Sequence, residues 1–250
     1  MIPACHVKSI DIIGPLKIQP FGLIVAVGVL TGYFLALRRA KEVGLDRTVC
    51  ADAIFWTLLS GFITAHLVSE IFYYPEEVAR NPLTLLMFWR GLSSYGGFAG
   101  ALLGGTLYLR RRGLPVLEYA DAFMFGLVPG WVIGRLACTV VFDHPGKPTS
   151  FFLGMPDVQG IVRHNLGFYE MLYSIILTAI LYGMKRKRPF PGFHCALMLV
   201  LYSPVRFLLD FLRVADRRYF GLTPGQYFSL LALAGGVALF LSGRRRHQNV

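Results

Sequence analysis

Charge is scarce in this chain, and negative charge is scarcer still. Only 16% of the 250 residues are charged, and 14 Asp and Glu stand against 25 Lys and Arg. A soluble domain carries about 25% charged residues and ~45–50% apolar ones, whereas 55% here are hydrophobic. That excludes a disordered chain and points to a membrane protein. Cysteine is sparse as well. Cys5, Cys50, Cys138 and Cys195 show no CxxC spacing, so neither a disulfide framework nor a structural metal site is expected from them. There is no GxSxG, Walker loop, dinucleotide fingerprint, HxxxH or HExxH, which removes the common signatures of serine hydrolases, nucleotide enzymes and zinc proteases. Residues 1–17 lack a basic stretch followed by an apolar core and a small-residue cleavage site, so the first span is expected to direct its own insertion.

What the chain does have is long apolar runs. They predict spans at Phe21–Leu37, Cys50–Phe72, Leu92–Leu109, Tyr119–Phe142, Leu166–Met184, Phe193–Leu212 and Pro224–Leu241. In lipid each segment must satisfy its own backbone groups, so helices are expected. Seven of about 20 residues use roughly 140 positions, which reads as an all-α membrane protein with one multi-pass domain over residues 1–250. The basic residues fall in clumps at Arg38–Arg47, Arg110–Arg112, Lys185–Arg188 and Arg244–Arg246. One span precedes the first clump and two separate each later pair. By the positive-inside rule the N-terminus lies outside, the C-terminus lies in the cytoplasm, and segments near 73–91 and 143–165 form a small extracytoplasmic cap. The basic tracts lack interleaved aromatics for stacking bases, so no nucleic-acid partner is expected.

Within the cap, Pro145, Pro148, Pro156, Gly146 and Gly154 predict an irregular, structured segment over Asp143–Asn165. Asn81 and Pro82 predict the cap and first turn of a short interfacial helix running to Trp89. Two glycine ladders, Gly96–Gly100–Gly104 and Gly126–Gly130–Gly134, would let neighbouring helices approach closely, and the second ends against Arg135.

Ionisable groups inside a bilayer are costly, so their depth is informative. Arg135 lies ~10 Å below the outer end of its span at 1.5 Å per residue. Arg206, His66, Glu70, Glu170, Asp210 and Arg213 all fall in the outer parts of theirs. A pathway for ions or solutes needs polar groups on both sides of the midplane; these describe a pocket open only to the outer leaflet. Arg206, Asp210 and Arg213 have the spacing to pair along one helix face. Arg135 has no acidic residue three or four positions away, so its partner comes from another helix or from an anionic lipid headgroup, whose phosphate fits a guanidinium fork. His66 and Glu70, four apart, read either as an oriented catalytic base or as a polar helix contact. Tyr95 reads as an interfacial tyrosine or a pocket hydroxyl. His144 and His164 flank the proline-rich cap without a metal-ligand spacing, and Asp143 and Glu170 are candidate orienting carboxylates.

Four ordered segments carry a resemblance: Ser94-Tyr95-Gly96-Gly97-Phe98-Ala99-Gly100; Gly134-Arg135-Leu136 through Asp143 and Gly146; Arg163-His164 with Tyr169-Glu170; and Arg206-Phe207 with Asp210, Arg213 and Asp216, then Leu222-Thr223-Pro224-Gly225-Gln226. Together they resemble the prolipoprotein diacylglyceryl transferases of the bacterial plasma (inner) membrane. The family's histidine before Gly-Gly stands here as Tyr95, its first-span tyrosine as Phe21 and a second-span arginine as His66, while Cys138 falls within its varied Gly-Arg signature. The resemblance implies transfer of diacylglyceryl from phosphatidylglycerol to the lipobox cysteine of a prolipoprotein signal peptide, releasing glycerol 1-phosphate. Arg135 and Arg206 would clamp phosphate, with Tyr95 and His66 as further catalytic residues and His164 as the other contender for the base. Gly96, Gly97, Cys138, Asp143, Gly146, His164, Glu170 and Asp210 would contact substrate or membrane lipid. Cys138 reads as an inert small residue or as a thiol that itself carries an acyl or glyceryl group. No metal or organic cofactor is expected. A transferase with a different acceptor, or a non-catalytic anionic-lipid-binding protein on the same frame, are the alternatives.

Overall fold

The computed structural model describes Ile2 and residues 10–13, 16–214 and 218–248; Cys5, Asp216 and most of the N-terminal segment lie outside them. The architecture is helical, with two small antiparallel sheets. The helices are α1 (Pro20–Glu42), α2 (Arg47–Tyr73), α3 (Pro75–Arg80), α4 (Ser94–Arg111), α5 (Val116–Val141), α6 (Leu166–Gly183), α7 (Phe193–Leu209) and α8 (Pro224–Gln248). Strands β1 (Ile10–Ile13) and β2 (Leu16–Ile18) form a hairpin, and β3 (Pro145–Pro148), β4 (Met155–Pro156) and β5 (Val162–Asn165) form a sheet in the order β3-β5-β4.

Among the described residues, six helices are long and apolar enough to cross a membrane: α1, α2, α5, α6, α7 extended to Leu212, and α8 through Arg245. This is a multi-pass membrane protein. The expected third span coincides with α4, which is outside that set because its glycines and its Arg110–Arg111 end lower its hydropathy. The chain divides into two compact units, residues 40–119 and residues 1–39 with 120–250.

In the unit formed by residues 40–119, α2 and α4 pack along their length. Lipid supplies no hydrophobic force between helices, so the association rests on close van der Waals approach. The first glycine ladder provides it. A Cβ on Gly96 would lie 2.6 Å from the Thr64 carbonyl, and one on Gly100 would lie 2.5 Å from the Ser60 carbonyl. Ser60 Oγ also donates across the seam to the Gly100 carbonyl at 2.9 Å. Asp46 caps α2 by accepting from Thr48 N and Val49 N, and Ser93 caps α4 by accepting from Gly96 N. The interfacial helix expected from Pro82 to Trp89 is instead a 3₁₀ turn at Pro82–Leu86, and it is preceded by α3, which was not expected from the sequence. Two prolines explain the division: Pro75 opens the first piece and Pro82 the second, since each favours a helical first turn and cannot sit inside one. Asn81 caps the second piece through Leu83 N, as its position predicts.

In the other unit the second glycine ladder meets α1. A Cβ on Gly28 would sit 2.8 Å from the Gly130 carbonyl, and one on Gly32 would sit 2.9 Å from that of Gly126, while Gly134 faces open space. Phe125, Val128, Leu177, Leu181 and Met198 form a core between α5, α6 and α7. Pro129 and Pro204 lie inside α5 and α7. Each removes a backbone donor from the helix. Tyr182 donates to the Phe125 carbonyl at 3.0 Å, the group that Pro129 leaves unmet, and Tyr173 donates to the Leu201 carbonyl beside Pro204 at 2.7 Å. Near the start of α5, Asp121 accepts from Gly192 N and Cys195 N, both at 2.9 Å, and so caps α7 from another helix. The cap segment 143–165 is more regular than its prolines and glycines suggest, because Met155–Pro156 and Pro145–Pro148 both pair with β5. Asp157 orders its hairpin, accepting from Gln159 N, Ile161 N and Arg163 Nε.

Gly100→Val is expected to overpack the α2–α4 seam at a cost on the order of 1–3 kcal/mol, read as a fall of roughly 2–4 °C per kcal/mol in melting midpoint in detergent. Gly235→Ala, where nothing lies within 4 Å of a new Cβ, should leave the midpoint close to wild type. Equal midpoints for the two variants would rule out the tight seam.

Candidate active site

The C-terminal parts of α5 and α7 and the N-terminal part of α6 bring two of the sequence-predicted residues, Arg135 and Arg206, to one carboxylate, Glu170. Glu170, in the first turns of α6, is 2% exposed. Its Oε2 lies 2.7 Å from Arg135 Nη2 of α5 and accepts from the Tyr202 hydroxyl of α7 at 3.0 Å, while its Oε1 faces Arg206 Nε at 3.6 Å. Arg206 also pairs with Asp210 one turn later, and Arg213 Nε approaches Asp210 at 3.4 Å. The intrahelical pairing expected from spacing is therefore present, and the partner of Arg135 does come from another helix.

Local features hold each member in place. Asn165 caps α6 through Phe168 N and donates to the Thr139 carbonyl of α5 and to Met155 Sδ of the cap sheet. It thus ties the start of α6, and Glu170 with it, to the end of α5. The Arg135 guanidinium lies over the Trp131 ring at 4.8 Å, a stabilising cation–π contact. Arg135 Nε is buried and has no hydrogen-bond partner among the described residues. Asp210 is fully buried and accepts from the Thr223 hydroxyl. Thr223 and Gln226 form a reciprocal capping box at the start of α8: Thr223 Oγ1 accepts from Gln226 N at 3.1 Å and Gln226 Oε1 accepts from Thr223 N at 2.9 Å. Gly225 leaves room for the ion pair, since a Cβ there would lie 3.2 Å from Arg206 Nη2.

Cys138 sits one turn after Arg135, with its sulfur 3.8 Å from Arg135 Nη1. The first turn of α6 packs directly on it, at Gly167, where a Cβ would lie 2.9 Å from the Cys138 Cβ. Beyond the helix end come Asp143 and His144, whose Oδ2 and Nε2 are 3.8 Å apart. Burial pushes the His144 imidazole below its usual pKa, against the pull of Asp143. Gly146 is a packing position: its backbone bridges to Arg213, and a Cβ would lie 2.8 Å from His164 Cβ. His164 is half-buried on β5, with Nδ1 2.8 Å from the Tyr169 hydroxyl. Burial lowers its pKa, so the ring is neutral near pH 7.

His66, Tyr95, Gly96 and Gly97 belong to the other unit. His66 is fully buried, with Nε2 3.2 Å from the Thr84 carbonyl and its ring centroid 4.9 Å from that of Phe88. That carbonyl fixes the tautomer, since only a ring N–H can donate to it. Glu70, also fully buried, lies 3.7 Å from Arg90 Nε, and Arg90 pairs in addition with Glu77. Both carboxylates hold the Arg90 guanidinium in its charged form. Arg90 was not among the predicted residues; the buried Glu70, which needs a cation, was the signal that could have found it. Tyr95 opens α4, half-buried, and the two glycines after it serve the approach of α4 to α2. Tyr202 was also missed, because a tyrosine in an apolar helix carries no distinctive spacing, and Thr223 was named in its segment without a role although Thr-x-x-Gln is a capping-box spacing.

A sequence model of the prolipoprotein diacylglyceryl transferase family matches residues 8–242. The chain is similar to the phosphatidylglycerol-prolipoprotein diacylglyceryl transferases of Azotobacter vinelandii, 31% identical over 98% of this chain and 98% of that protein, and of Pseudomonas fluorescens, 31% identical over 99% and 97%. It is 26% identical to that of Staphylococcus xylosus over 95% of this chain and 89% of that one.

Glu170→Ala leaves the buried Arg135 without its carboxylate and Arg206 with Asp210 alone, and is expected to cost roughly 3–5 kcal/mol, lowering the melting midpoint sharply. Tyr202→Phe removes one neutral donor to the same carboxylate and should cost only about 1 kcal/mol. If Glu170→Ala melts with the wild type, the carboxylate is not what joins the three helices.

Proposed function

The chain belongs to the prolipoprotein diacylglyceryl transferase family, and from that premise we propose that it moves a diacylglyceryl group from phosphatidylglycerol to the lipobox cysteine thiol of a prolipoprotein signal peptide. Its setting is the bacterial plasma (inner) membrane, crossed seven times as a single domain with α4 as the third span, the N-terminus outside and the C-terminus in the cytoplasm. The observation that carries the reading is the convergence of Arg135 and Arg206 on Glu170, with an unmet buried donor at Arg135 Nε. Two guanidiniums drawn to one carboxylate in apolar surroundings are placed to receive a phosphodiester from the outer leaflet.

In the reaction the thiolate sulfur attacks the glycerol carbon that carries the phosphate ester. A C–S bond forms, the C–O bond breaks, and its electron pair leaves on the phosphate oxygen of glycerol 1-phosphate. Charge therefore grows on the phosphate in the transition state, where Arg135 and Arg206 stabilise it without reorganising. Glu170 and Asp210 act as positioning residues for the two guanidiniums. The thiol proton goes to His164, which is neutral, half-buried and outside the spans. His66 is the weaker contender, because its ring is fully buried and one nitrogen is committed to Thr84.

The direct test is transfer of labelled diacylglyceryl from phosphatidylglycerol to a synthetic lipobox peptide by the purified protein in detergent. Arg135→Ala should lower product formation by roughly 10²-fold or more. Arg135→Lys should recover little of it, because a point charge does not replace the fork. Absence of thioether with wild-type protein that still retains phosphatidylglycerol would turn the reading toward a different acceptor. For the base, His164→Ala should lower turnover at least about tenfold, and His66→Ala should lower the melting midpoint with turnover unchanged; the reverse pattern assigns the proton to His66. Since the imidazole must be unprotonated to accept, kcat/KM should rise with pH, with a midpoint below the ordinary histidine value of about 6.5, and be flat by neutrality.

A further inference from the structure

The end of α5 carries a feature the transferase reading does not use. Phe142, the residue after the helix, is buried and has φ +58°, the left-handed conformation that a helix end normally gives to glycine or asparagine. A bulky residue there is held at a cost and persists only where the surroundings impose it. The turn it makes brings Asp143 and His144 back toward Cys138. As a result one sulfur, one carboxylate oxygen and one imidazole nitrogen all lie within 4.8 Å of one another. A point within about 2.8 Å of all three then exists, against metal–ligand distances of about 2.0–2.3 Å for zinc. Binding would require each ligand atom to move by under about 1 Å. Cys138 is buried, while the Asp143 and His144 side chains are 31% and 30% exposed, so the set is closed on the protein side and open toward the outer face.

We propose that Cys138, Asp143 and His144 hold a zinc ion whose fourth position takes the acceptor thiol. Mixed sulfur, nitrogen and oxygen donors suit zinc and disfavour magnesium or calcium, and three protein ligands with one open position is the arrangement of catalytic zinc. The charges fit the surroundings. A divalent ion with one thiolate, one carboxylate and a neutral imidazole is neutral overall, so it adds no repulsion beside Arg135, whose Nη1 is 3.8 Å from the Cys138 sulfur.

The site answers a chemical need of the reaction, and in this respect the inference rests on the transferase reading. By the resemblance Tyr95 stands in place of a histidine, and a phenol with an ordinary pKa of about 10 is a poor base for a thiol. A thiol that coordinates zinc is deprotonated outright. The acceptor thiol binds the metal and gives up its proton to His164, then its sulfur pair forms the C–S bond as the ester C–O bond breaks. The metal is neither oxidised nor reduced. With phosphate on Arg135 and thiolate on the adjacent zinc, nucleophile and electrophile meet within one small volume, where orientation counts most.

The test is metal content and cobalt spectroscopy of the full chain, purified in detergent under reducing conditions. Wild type should retain about one zinc per chain, and the cobalt-loaded form should show a thiolate-to-cobalt charge-transfer band. Cys138→Ser should lose that band, and His144→Ala should weaken metal affinity by more than roughly tenfold, since even outer-shell losses cost that much. Adding a lipobox peptide with one cysteine should strengthen the band, and the same peptide with serine should not. No bound metal in wild type, equal metal content in both variants, or a band indifferent to the cysteine peptide each overturns the proposal. These readouts need no phosphatidylglycerol, so they are independent of turnover. Zinc-free protein that still forms thioether overturns the metal site and leaves the transferase; zinc-loaded protein that takes the thiol but forms no thioether supports the site and overturns the transferase.

Discussion

The junction of α5, α6 and α7 depends on one buried carboxylate. Glu170 accepts from Arg135 and Tyr202 and faces Arg206, so a single side chain of α6 receives groups from α5 and α7. A lone anion or a lone guanidinium at that depth would be very costly, and the paired set is tolerable only with all its members in position. The same requirement draws both arginines to one carboxylate, and the proposed phosphodiester binding rests on that arrangement. Stability and binding chemistry thus draw on the same residues, and Asn165 supports both by fixing where α6 begins relative to α5.

The rest of the helical frame follows from the absence of a hydrophobic force between helices in lipid. Close backbone approach at Gly28, Gly32, Gly126 and Gly130 joins α1 to α5, and Gly96 and Gly100 join α4 to α2. Where prolines interrupt α5 and α7, tyrosines from α6 take up carbonyls at or beside the interruptions, which keeps polar backbone groups satisfied without water. The prolines lie in the two helices that carry Arg135 and Arg206.

Much of the frame was legible in the sequence. Leu166, Phe193 and Pro224 begin α6, α7 and α8 where the apolar runs place them, and Asn81 caps its turn as expected. The pairing of Arg206, Asp210 and Arg213 was legible too, because neighbours three and four apart on a helix meet whatever surrounds them. Less visible were the strands of the cap, whose pairing joins short, proline-rich pieces with no alternating pattern, and the cap of α7, which is supplied by Asp121 from α5. The meeting of Cys138 with Asp143 and His144 was hidden for a different reason: it depends on a left-handed phenylalanine that no turn rule anticipates.

The division between the two kinds of information has a physical basis. A segment in lipid must close its own hydrogen bonds and be apolar for about 20 residues. Those are local demands, so the sequence by itself determined where the six long apolar helices lie and which charged residues they carry. Which cation meets which anion is decided by side chains on helices distant in the chain, through packing at contact range. Only the tertiary structure could therefore assign Glu170 to Arg135 and Arg206, Arg90 to Glu70, and three potential ligands to one point beside the arginine pair.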